Sequence, residues 1–105
     1  MIITTTNTVD GKPVREYLGI INAQSIIGAN IFKDILGGLR DVFGGRSRTY
    51  EKVLEEAKED ALRELAQKAQ AMGANGIIGV DLDFETVGGS GSMLMVIATG
   101  TAVRL

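Results

Sequence analysis

Residues 47–73, SRTYEKVLEEAKEDALRELAQKAQAMG, constrain this chain more than any other stretch. Apolar side chains fall at Tyr50, Val53, Leu54, Ala57, Ala61, Leu62, Leu65, Ala66, Ala69 and Met72. That is the i, i+3, i+4, i+7 spacing of one helical face. Acidic, basic and amide side chains fill most other positions, with Glu59–Arg63 and Glu64–Lys68 in the favoured i, i+4 order. Ser47 or Thr49 suits the start of the helix, and Gly73 suits a left-handed turn at its end. A helix with one apolar stripe needs a surface to lie on, so the flanking segments must supply a sheet.

Residues 2–8 are rich in β-branched side chains and predict a strand. Asp10-Gly11-Lys12-Pro13 is a turn signal, and residues 14–25 (VREYLGIINAQS) predict a second strand, its hairpin partner. Gly19 inside that strand predicts a bulge or a close backbone approach. Residues 26–43 carry Ile31, Phe32, Ile35, Leu36, Leu39, Val42 and Phe43 at a helical period, with Gly37-Gly38 in the middle. They predict a short helix, broken or kinked near the glycines. After the long helix come residues 77–87 (IIGVDLDFETV), a glycine-rich loop at 88–92, and residues 93–105 (MLMVIATGTAVRL), a strand–loop–strand hairpin. The expected architecture is α+β: a small antiparallel β-sheet packed against one long helix, plus a short helix, in a single domain spanning residues 1–105.

The first strand of that hairpin alternates, with Ile78, Val80, Leu82 and Phe84 on one face and Asp81, Asp83 and Glu85 on the other. The last strand is apolar on both faces: Leu94, Val96, Ala98 and Ala102 on one, Met93, Met95, Ile97 and Val103 on the other. Such a strand is normally covered on both faces. One helix covers one face. The other, near Leu94, Val96 and Ala98, needs residues 26–43 or a second copy of the chain. A long exposed apolar strand invites aggregation, which points to a homo-oligomer.

Composition narrows the chemistry. The formal net charge is −2, so there is no basic field to draw in nucleic acid or anionic lipid. The sequence has no cysteine and no histidine, which removes the commonest general base and the usual soft-metal ligands. The N-terminal stretch lacks a basic region followed by an apolar run, and the longest apolar run is too short for a bilayer. The expectations are a cytoplasmic protein with itself as partner, no membrane, no nucleic acid and no enzymatic activity.

Several motifs together resemble the YbjQ family: Tyr17-Leu18-Gly19, Gly28-Ala29-Asn30, Gly44-Gly45-Arg46-Ser47 with Tyr50-Glu51, the run from Gly73 to Val80, and Gly100-Thr101-Ala102-Val103. The likeness covers essentially the whole chain. Its pattern usually has alanine where this chain has Gly76. The resemblance implies a dodecin-like α+β subunit that assembles into a ring, a homopentamer. The family carries the label "putative heavy-metal-binding", and a related small pentameric protein binds selenium through a cysteine. With no thiolate and no imidazole, neither chemistry has its ligands here.

Two places could hold an ion. Asp81, Asp83 and Glu85 form an acidic ladder suited to Ca²⁺, Mg²⁺ or Mn²⁺. Alternate strand residues lie about 6.5–7 Å apart, too far for all three to grip one ion unaided. The simpler reading is a solvated strand face, or an inter-subunit salt bridge to Arg104 or a lysine. Gly45, Arg46 and Ser47 open the long helix and could bind an anion on its free N–H groups. The simpler reading there is a tight turn and a cap. No cofactor is expected beyond a possible divalent metal ion at the acidic ladder. Met93 and Met95 read as core filler rather than thioether ligands.

Overall fold

The computed structural model describes residues 1–28, 48–88 and 93–105, and the side chains of all of these except 48–50. It has strands β1 (Ile2–Ile3), β2 (Glu16–Ile27), β3 (Gly76–Val87) and β4 (Met93–Arg104), and one helix, α1 (Arg48–Ala71). Most of the expected short helix at 26–43 and of the loop at 88–92 lies outside the described residues. Ile26 and Ile27, at the start of that expected helix, belong to β2.

α1 buries the face its spacing predicted. Ala57, Ala61, Leu65 and Ala69 are fully or almost fully buried, with Val53, Leu54 and Leu62 packed at the margins. Three of those four are alanine, which permits close approach to the sheet, and among the described residues of α1 Leu65 is the large side chain that is fully buried. Burying a leucine stabilises by about 1.5–3 kcal/mol. The helix shares one core with Ile21, Ala23 and Ile27 of β2 and Leu94, Val96, Ala98 and Ala102 of β4. The helix ends as Gly73 implied. Gly73 has φ 83°, its N–H donates to the Gln70 carbonyl at 3.0 Å, and the Ala74 N–H reaches back to the Ala69 carbonyl at 3.0 Å. Those two bonds satisfy carbonyls that the helix end would otherwise leave unpaired. On the outer surface Lys68 meets Glu64 as expected, at 4.0 Å, whereas Arg63 pairs with Asp60 at 2.8 Å instead of with Glu59.

The sheet departs from expectation in its pairing. Its order is β1-β3-β4-β2, with β1 parallel to β3 and the other two pairs antiparallel. It is therefore mixed rather than wholly antiparallel, and β1 and β2 sit at opposite edges instead of forming a hairpin. The reason lies in β3. Gly79 (φ 60°) sits in an irregularity between Ile78 and Asp81. The N-terminal arm follows that bend: Gly79 and Val80 donate to the carbonyls of Thr6 and Thr4, and Thr4 donates to that of Ile77. The Asp10–Pro13 turn, closed by the Lys12 N–H on the Val9 carbonyl at 3.0 Å, then sends the chain across the sheet to β2. On the way Ile2, Val9 and Val14 cover Ile78, Val103 and Leu105, a second small core on the face opposite α1.

The same irregularity corrects the expected alternation of β3. Ile77, Val80 and Leu82 face the helix, and Ile78 joins the second core on the other side. In β2 the bulge expected at Gly19 is present: the register shifts between Tyr17 and Gly19, where φ is 135°. The need for a second cover also moves. Leu94, Val96 and Ala98 lie directly under α1, 0–5% exposed. Among the described residues, no helix covers the opposite face, that of Met93, Met95 and Ile97.

Candidate functional site: the open sheet face

The register places side chains on this face in rows across three strands. Ile26, Met95 and Glu85 form one; Gln24, Ile97 and Asp83 the next; then Asn22, Thr99 and Asp81; then Ile20, Thr101 and Ile78. The last row runs under the N-terminal arm at Ile78, which is buried, while Ile20 at its other end is 81% exposed. Ile26 is 56% exposed and Tyr17, farther along β2, 70%. Met95 and Ile97 are half-buried by their neighbours. The face thus has an apolar cluster at Ile26, Met95 and Ile97, a second at Ile20 and Tyr17, polar Asn22, Gln24, Thr99 and Thr101 between them, and an acidic edge along β3.

Asp81, Asp83 and Glu85 do share that edge, one per row and all exposed. Successive rows stay about 7 Å apart, so the strand does not gather the carboxylates. Among the described residues no group of three or more potential ligands could hold a metal ion. None of the three is in an ion pair among the described residues, and Arg104, a candidate counter-charge, is held by Glu16 at 3.1 Å. The anion candidate at Gly45, Arg46 and Ser47 lies outside the described residues.

Sequence reasoning missed the β2 half of this surface. Ile20 and Ile26 look like ordinary strand residues until β2 is known to pair with β4, which sets them beside Thr101 and Met95. It also missed a clasp at the end of the chain. Asn75 accepts the Leu105 N–H at 2.7 Å and donates to the Leu105 oxygen at 3.3 Å, while the Arg15 guanidinium donates to that oxygen at 3.0 Å. No local pattern signals these contacts, because Arg15 and Leu105 are 90 residues apart. Among the described residues, no helix is long and apolar enough to cross a membrane.

One long helix on a four-stranded mixed sheet, with an acid-edged apolar surface on the far side, defines a small α+β protein with no assembled catalytic centre among the described residues. A family model described as "Putative heavy-metal-binding" matches residues 1–105, and the chain belongs to that family, YbjQ. A UPF0145 protein of Geobacillus kaustophilus is 55% identical over 105 residues, covering 100% of this chain and 98% of the relative. A UPF0145 protein of Caulobacter vibrioides is 54% identical, with full coverage of both chains. The fold is shared with a crystal structure of a protein of unknown function from Pediococcus pentosaceus, assigned to the DUF74 family. That match has a TM-score of 0.66 at 20% identity and covers 100% of this chain and 97% of the other.

Proposed function

We propose that this chain is a cytoplasmic, non-enzymatic binding or scaffolding subunit that closes into a ring of identical copies through its open sheet face. Five copies in a dodecin-like ring is the arrangement the family resemblance implies. The observation that carries the reading is the exposure of large apolar side chains on this face: Ile26 at 56%, beside Met95 and Ile97 at one end, and Ile20 at 81% with Tyr17 at 70% at the other. Exposed apolar clusters of this kind mark interaction sites. Two further features favour a second copy as the cover. The relatives from Geobacillus and Caulobacter are matched over 98% and 100% of their own length, so they bring no extra domain to the face. The outer edge of β2 and the part of β3 beyond the N-terminal arm are both unpaired among the described residues, and two such different edges suit head-to-tail contacts that close a ring. The test is sedimentation of an Ile20→Asp/Ile26→Asp variant beside Phe84→Asp, which alters an exposed apolar side chain on the helix side of the sheet. The double variant should dissociate and Phe84→Asp should not. Equal behaviour of the two would remove the open face from consideration.

The second reading is a carboxylate site for a divalent ion, supported by the family description and by three exposed acids in one file. Copies in a ring could bring Asp81, Asp83 and Glu85 of neighbours together. Calorimetric titration with Mn²⁺, Ca²⁺, Zn²⁺ and Cu²⁺ tests it. Binding lost in Asp81→Asn/Asp83→Asn supports this site, and binding that survives the change rules it out.

A further inference from the structure

A cavity of about 580 Å³ opens where the N-terminal arm passes the end of β4. Ile2, Pro13 and Leu105 give it an apolar floor, and its charged side chains are Lys12 and Arg15, with no carboxylate side chain in the wall. Met1 and Leu105 also line it. Such a wall of cationic side chains is unusual in a molecule of net charge −2. Lys58, Arg63, Lys68 and Arg104 each lie within 4.0 Å of an acidic side chain. Lys12 and Arg15 pair with no acidic side chain among the described residues. Lys52 shares that property, but it stands on exposed helix surface between glutamates.

The geometry of the walls is fixed. The turn at Gly11 (φ 77°), closed by the Lys12 N–H, presents the lysine. Arg15 is anchored through Nη2 on the Leu105 oxygen, and its other N–H groups have no partner among the described residues. Asn75 spends its side chain on both polar groups of Leu105, which holds the floor in place. A concave site with an apolar floor and a few placed cations is the usual form of a small-ligand pocket. A guanidinium fork with a neighbouring ammonium matches a carboxylate.

We propose that this pocket binds a small amphipathic carboxylate, its charged head between Lys12 and Arg15 and its tail on Ile2, Pro13 and Leu105. The test is calorimetric titration of the full-length protein with sodium hexanoate, alongside 1-hexanol and inorganic phosphate. Saturable binding of hexanoate, one per chain, is expected, with both comparison compounds weaker. Lys12→Met should weaken it by about tenfold, the loss of one charge-assisted contact, and Lys52→Met should leave it unchanged. Lys12 makes no side-chain contact that the fold depends on, so this variant stays folded. Absence of saturable binding to folded protein would overturn the proposal. So would 1-hexanol or phosphate binding as tightly as hexanoate, or equal losses in the two lysine variants.

Discussion

Adding one methyl group at either of two glycines should separate a rigid neighbourhood from a yielding one. A Cβ at Gly100 would stand 2.7 Å from Ile77 Cγ2, 3.2 Å from Val80 Cγ2 and 3.3 Å from the Ile78 carbonyl oxygen. A Cβ at Gly76 would stand 2.8 Å from Leu105 Cδ1, 3.2 Å from its Cγ and 3.3 Å from Val103 Cγ2. The overlaps are almost equal, and neither glycine has a positive φ. What differs is what must move. Ile77 is completely buried beneath α1, and the Ile78 carbonyl is backbone at the β3 irregularity, so neither can retreat. Leu105 lines the adjacent cavity, into which its branched tip can rotate. Overpacking in a rigid core costs about 1–3 kcal/mol. Losing a glycine's freedom in the unfolded chain returns about 0.4–1 kcal/mol. Gly100→Ala should therefore destabilise by about 1–2 kcal/mol, and Gly76→Ala should fall within about 1 kcal/mol of zero. Urea unfolding at one fixed protein concentration measures both, with slopes unchanged and midpoints separated by about 0.5–2 M. A Gly76→Ala loss as large as that of Gly100→Ala would refute the reasoning.

Leu65→Ala, which opens a void at the one large, fully buried residue of α1, should cost about 2–5 kcal/mol in the same assay. Asn75→Ala removes both side-chain bonds to Leu105 and leaves its N–H unpaired, at a cost of about 1–3 kcal/mol, and hydrogen exchange should speed up at that amide. Gly73→Ala puts a side chain on a backbone with φ 83°; it should cost about 1 kcal/mol and fray the last turn of α1 without changing the sheet, visible as faster exchange at Gly73 and Ala74.

The helix was legible in the sequence because its signals repeat: an apolar stripe over six turns and a glycine just past the end. The two faces of β4 were legible for the same reason, since burial alternates with period two from Met93 to Ala102. What failed was anything decided by long-range pairing. The composition of residues 2–8 suits a strand, yet only Ile2–Ile3 pair regularly, because the bend at Gly79 carries the partner edge away. The glycine was visible, but its sign of φ was not, and that sign moves Ile78 to the opposite face. The open face followed from this error. Two apolar faces on β4 were recognised, but which one α1 would cover depends on register with β2. Asp81, Asp83 and Glu85 lie on one face of β3, as their alternation implies, and strand geometry keeps them about 7 Å apart within one chain.

Sedimentation velocity of the unmodified protein at micromolar concentration tests the central claim most directly: that the exposed apolar side chains of the open face, Ile20 and Ile26 foremost, are covered by another copy of the chain. The account predicts one sharp species with several times the mass of a single chain, fivefold for the ring the family resemblance implies. A well-behaved particle with the mass of one chain would contradict it.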